Sequence, residues 1–183
     1  MTDDRASAAM HDGMERVLPR FEDKLMGIPI VLLNSAIESE VDGEVGVTVP
    51  DSEGLRAAVA VARVTIPDKL GGSEIRALRR ALGMQARTLA EFLDVTPETF
   101  SRWENGKEAI SRNAERLLRL RVFQSLRNQA QGVRAKSEDI LDIKLAPLRL
   151  ANKPLLLAFQ RVPGGVWWFC GLDEGETAVR MRA

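Results

Sequence analysis

The stretch VTPETFSRWENG, residues 95–106, gathers Thr96, Glu98, Thr99, Ser101, Arg102 and Asn105 around only two large apolar side chains, Phe100 and Trp103. These polar groups suit recognition more than reaction. A guanidinium can take the O6 and N7 atoms of guanine together, and a carboxylate can accept from the amino group of cytosine. Hydroxyls and backbone N–H groups at a helix N-terminus can hold a phosphate. Thr96-Pro97 has the form of an N-cap followed by proline at the first helical position, and Gly106 falls just past the end. The helix over 96–104 is thus anchored by Phe100 and Trp103 and presents the rest, as a DNA-reading helix must, because only exposed side chains reach base edges. Glu98 and Arg102 fit two compatible readings, base contacts or an i,i+4 surface ion pair.

Groups for covalent or acid–base chemistry are scarce. The one histidine, His11, lies in a front segment expected to be mobile, and the one cysteine, Cys170, follows Phe169 in an apolar run that reads as buried packing. One cysteine makes no internal disulfide, and one His with one Cys makes no zinc site. The glycines of LGGSE and PGGVW lack the strand-to-helix context and the lysine of a phosphate-cradling loop. With no nucleophile, base and orienting group to assemble, the expectation is a protein that is not an enzyme and uses no metal or cofactor.

Several elements must hold the 96–104 helix in place. Ser73 can cap a first helix, EIRALRRALG, with Ile75, Leu78 and Leu82 on one face and Gly83 at its end. A second, about 86–93, turns Leu89, Ala90 and Leu93 inward, and a tight turn at Asp94-Val95 joins it to Thr96. A fourth begins near Ser111 and carries Ala114, Leu117, Leu118 and Val122 at helical spacing. Short helices in such close succession suit a helix-turn-helix, whose second helix enters the major groove. Charge follows the same division: residues 71–136 hold 13 Lys+Arg against 7 Asp+Glu, residues 1–70 hold 7 against 13, and residues 137–183 hold 6 against 6. A basic module can bind a polyanion within a neutral chain, although arginines also simply solvate helices.

The segment 74–120 resembles the DNA-binding domain of the Cro/CI repressor type, the XRE family, through LAEFLDV, SRWENGK and AERLLRL. The resemblance covers about a quarter of the chain and implies a compact bundle of about five short helices. It implies that the positions of Thr96, Lys107 and Arg112 meet phosphates and that those of Pro97, Glu98 and Arg102 face bases. Thr99 joins the base-facing set, and Gln85, Arg87 and Asn105 the phosphate-facing set. The family commonly opens its second helix with Ser-Gln; Gln85-Ala86 stands there instead, so that contact is either lost or moved to Gln85 or Arg87. Leu89, Ala90, Leu93, Val95, Phe100 and Trp103 form the expected helix-turn-helix core.

Outside this segment, IPIVLLN (28–34) is an apolar run of strand length and EVGVTVP (44–50) alternates, with Asp42-Gly43 as a hairpin turn between them. Asp51 or Ser52 can cap a helix with Leu55, Ala58, Val59 and Ala62 on one face, and TIPDKLGG (65–72) reads as a linker. This layout is similar to MqsA/YgiT-like antitoxin and regulator proteins, although the zinc-binding cysteines found in many of them are missing here. That similarity implies a front region for protein contacts and a homodimer that represses its own operon. Near the C-terminus, KPLLLAFQRVPGGVWWFCGL reads as two strands around Pro163-Gly164-Gly165. It serves either as a small sheet on the helical domain or as a surface for dimerisation, a ligand or a partner. Trp167 and Trp168 then face opposite sides, which leaves one exposed unless something covers it.

The expected fold class is α+β: a central five-helix Cro/CI-type domain (69–131), flanked by a mobile N-terminal segment (1–25), a small ββα region (26–68) and a β-hairpin region (132–183). No apolar run spans a bilayer, and the front segment is too acidic and broken for a signal peptide, which points to the cytoplasm. The expected function is sequence-specific regulation of transcription by a homodimer on double-stranded DNA. The alternative is an antitoxin-like adaptor that holds a partner protein and autoregulates its operon.

Overall fold

A computed structural model of the chain describes residues 15–41, 43–146 and 155–173. Five strands form one sheet. β1 (Arg16–Leu25) and β2 (Ile28–Val41) make an antiparallel hairpin across Met26 and Gly27, both at positive φ. β3 (Glu44–Thr48) returns antiparallel to the far half of β2, and Gly43 at φ 81° supplies the turn expected there, whose other residue, Asp42, lies outside the described residues. β4 (Leu157–Arg161) then runs parallel to β2 over Ile30–Leu33, and β5 (Trp167–Leu172) lies antiparallel to β4. β1 therefore takes one edge of β2, while β3 and β4 share the other, end to end. The turn between β4 and β5 uses Gly164 and Gly165 at φ 92° and 83°.

The mixture of helices and strands agrees with an α+β class, but the arrangement differs from three modules in a row. Residues 16–25, expected in a mobile segment, are a strand whose Leu18, Phe21 and Leu25 pack against the core. The two flanking regions are joined in one sheet, because the apolar run Ile28–Leu32 needs neighbours on both edges and finds β1 and β4. His11 lies outside the described residues, as do residues 147–154 of the tail.

Between the sheet and the remaining helices runs α1 (Ser52–Thr65), capped by Asp51, whose Oδ1 accepts from the Gly54 N–H at 3.0 Å. Leu55 and every residue from Ala57 to Val64 are buried, so this helix has no solvent face beyond its first turn and Arg56. It touches α2 (Gly72–Ala81), α5 (Arg112–Leu126), α6 (Ser137–Leu141), β4 and β5. Trp167, buried, donates from Nε1 to the Asp51 carbonyl at 3.0 Å and ties β5 to the start of α1.

The segment read as a linker is bound throughout its length. Arg119, fully buried, donates to the carbonyls of Val64 (3.0 Å), Ile66 (2.6 Å) and Asp68 (2.7 Å), and twice to Glu115 Oε1 (2.8 and 3.1 Å). All five guanidinium donors are thereby used. Arg63, also buried, bonds both carboxylate oxygens of Glu74 and the carbonyls of Asp68 and Lys69. Glu115 Oε1 accepts from the Leu70 N–H at 2.9 Å. Burial pulls the Arg119 pKa below its ordinary value, and the hydrogen-bonded Glu115 opposes that shift. Two of the largest fully buried side chains are thus arginines, which clamp the passage from α1 into α2.

Candidate nucleic-acid interface

The helix-turn-helix is built by local signals. α2 ends with Gly83 at φ 65°, after which α3 (Ala86–Phe92) begins. Asp94 adopts φ 56°, and the Val95 N–H closes back on the Ala90 carbonyl at 3.0 Å, which makes the tight turn. α4 (Pro97–Glu104) then starts with Thr96 as N-cap, whose Oγ1 accepts from the Thr99 N–H at 3.2 Å, and with Pro97 at the first position. Leu89, Ala90, Leu93, Phe100 and Trp103 are buried, and Val95 is half-buried against them. The Phe100 and Trp103 rings meet edge-on at 6.3 Å between centroids.

Two expected helix details are corrected. Ser73 does not cap α2: the cap is Gly71, whose N–H is taken by Glu74 Oε2 at 2.8 Å, while Arg63 fixes the same carboxylate. Leu117 does not face inward. It is exposed, because α5 turns Glu115 and Arg119 to the interior along with Ala114, Leu118 and Val122.

The side chains expected to meet DNA lie as follows. Pro97, Glu98 and Arg102 are exposed on α4, and Thr99 is half-buried beside its bond to Thr96. Arg102 Nε lies 3.4 Å from Glu108 Oε2, so the ion pair it makes crosses to the following loop in place of an i,i+4 pair with Glu98. Gln85, Arg87, Lys107 and Arg112 are exposed, and Arg87 is joined to Glu91 at 3.1 Å on the same helix. Asn105 is exposed but occupied. Its Nδ2 donates to the Ser101 carbonyl at 2.8 Å, and its Oδ1 accepts from Arg76 at 2.7 Å.

Behind α4 lies a set of contacts with no outward sign in the sequence. Arg79 on α2 bonds the buried Glu104 at 2.8 Å, which fixes the end of α4 to α2. Gly72 sits so close to this end that a Cβ there would lie 2.5 Å from the Trp103 carbonyl oxygen and 2.8 Å from the Glu104 oxygen and the Gly106 nitrogen. Beside Arg112, Lys69 lines the same shallow depression with Leu145 and Ala146, which adds a cation from the segment read as a linker.

Other candidate groups lie away from this face. Cys170, expected to be buried, is exposed near the end of β5, yet its surroundings desolvate the thiol enough to push it above its ordinary value. Trp168 is half-buried, with the Arg134 guanidinium 4.6 Å above its ring. Among the described residues, no three or more His, Cys, Asp or Glu side chains group as metal ligands, and no helix is long and apolar enough to cross a membrane.

No curated protein and no solved structure matches the chain. A helix-turn-helix family model matches residues 75–114, from the first turn of α2 to the first turn of α5. With α3 and α4 closed around Leu89, Phe100 and Trp103, that segment is a helix-turn-helix of the XRE, Cro-like type, a DNA-binding domain of the kind carried by transcription regulators.

Proposed function

We propose that the protein is a sequence-specific transcription repressor that inserts α4 into the major groove and acts as a homodimer, including at the promoter of its own gene. The observation that carries this reading is the division of α4. Phe100 and Trp103 are buried, whereas Pro97, Glu98 and Arg102 stand exposed on one short helix beside the cations Lys107 and Arg112. In this reading Pro97, Glu98, Thr99 and Arg102 meet base edges. Gln85, Arg87, Thr96, Lys107 and Arg112 meet phosphates, and Asn105 supports the end of α4 next to the backbone. A single short helix gives limited affinity, and two copies on half-sites about one helical turn apart raise it by linked binding.

Selection of bound duplexes from a random library tests this directly. A recovered motif with two related half-sites supports the reading. A pool that stays random through repeated rounds contradicts it.

A further inference from the structure

We propose that β3 pairs with β3 of a second copy, antiparallel and centred on Gly46, and that this seam holds the dimer together. The proposal rests on the homodimeric reading and names its surface. The sheet has three rims that a further strand could join, and two are protected. β1 carries Pro19, which has no N–H to offer, and its Arg20 is held by Glu22 and Asp173. β5 is covered by the bridge from Gly132 to Trp168, where the Phe169 N–H bonds the Gly132 carbonyl at 3.2 Å, and by Arg134 stacked on Trp168.

β3 has no such protection among the described residues. It pairs only with β2, all five of its residues are exposed, and it contains neither lysine nor proline. It exposes two valines on one face, Val45 at 66% and Val47 at 40%, where β1 exposes Val17 alone at 55%. They share a face with Glu40 and Glu38 of β2, their register partners.

The sequence of this strand, Glu-Val-Gly-Val-Thr, is close to a palindrome about Gly46. Antiparallel pairing about a two-fold axis at Gly46 sets Val45 of each copy opposite Val47 of the other and gathers four valines on one face. It sets Glu44 opposite Thr48. Parallel pairing would place Glu44 beside Glu44, a like-charge contact that opposes it. The two-fold arrangement also closes on itself and leaves no free rim for a third copy. A second copy of the chain is therefore the occupant this edge fits.

Cysteine cross-linking in a Cys170→Ser background tests the register without DNA. A Cβ at position 46 meets nothing within 4 Å, so Gly46→Cys introduces a free thiol on the axis. Under mild oxidation it should yield covalent dimer at least about tenfold faster than Glu44→Cys, whose two copies would stand about 13 Å apart, beyond disulfide reach. Sedimentation should give a two-chain mass for the parent and a one-chain mass for Val47→Lys, an exposed change that leaves the core intact, while the circular dichroism spectrum stays that of the parent. Equal cross-linking of Gly46→Cys and Glu44→Cys, absence of cross-linking in both, or a Val47→Lys protein that keeps the two-chain mass would each overturn the seam. Because DNA takes no part, a failed regulator reading leaves this result standing, and a regulator dimerising elsewhere would bind DNA yet fail here.

Discussion

In the proposed function, Arg102 is the side chain on which base readout most depends. It is exposed at the last turn of α4 and is held loosely by Glu108 at 3.4 Å, so it can leave that partner for a guanine. Arg102→Ala should cost about 1–3 kcal/mol on the specific site and relax preference at one base pair, read by repeating the library selection with the variant. Equal loss on all sequences would remove Arg102 from base contact. The proposed function puts Lys107 and Arg112 in the other class, as phosphate contacts. Replacing either by alanine should weaken every duplex alike and reduce the salt slope of binding by about one unit. Cys170 makes a prediction of a different kind. Desolvation raises its pKa, so at neutral pH it stays a protonated thiol, and iodoacetamide should label the native protein more slowly than a free cysteine. Labelling at the free-thiol rate would contradict that environment.

The elements of the helix-turn-helix were legible because their signals are local. Thr96-Pro97, the turn at Asp94-Val95, the stop at Gly83 and the helix start near Ser111 are each set within a few residues; at the last, the Ser111 hydroxyl accepts from the Ala114 N–H at 3.3 Å. Local signals do not suffice where a distant partner decides. Arg63 takes hold of Glu74 and so moves the cap of α2 from Ser73 to Gly71. Leu117 turns outward, against its helical spacing, because the burial stripe of α5 includes a glutamate and an arginine, types that rarely fill a core. Gly72 tests the docking of α2 on α4. Its Cβ site is closed by backbone atoms of Trp103, Glu104 and Gly106, so Gly72→Ala must push the two helices apart. Thermal unfolding should show a loss of about 1–3 kcal/mol, accompanied by weaker DNA binding. A melt identical to that of the unaltered chain would mean that the approach is not tight.

At the scale of the molecule, α1 and the two buried arginines make the sheet and the helix-turn-helix one body. The parallel pairing of β2 with β4 joins residues about 30 and 157, and nothing in either strand announces the other. Nor does an arginine announce that it will be buried; only the carbonyls at 64, 66 and 68, turned inward together, make that position favourable for Arg119. Removing one partner from such a network strands the rest without water, at a cost of about 3–5 kcal/mol. Arg119→Ala should therefore lower the unfolding temperature sharply in calorimetry, and Arg119→Lys should rescue little, since an ammonium has three donors where the site uses five. A variant as stable as the parent would show that the clamp contributes nothing net. The regulator itself is tested most directly by fluorescence anisotropy on the DNA upstream of its own gene, against a scrambled duplex of equal length and across a salt series. The proposed function predicts a preference of about a thousandfold or more for the native duplex; weak and equal binding to both would contradict it.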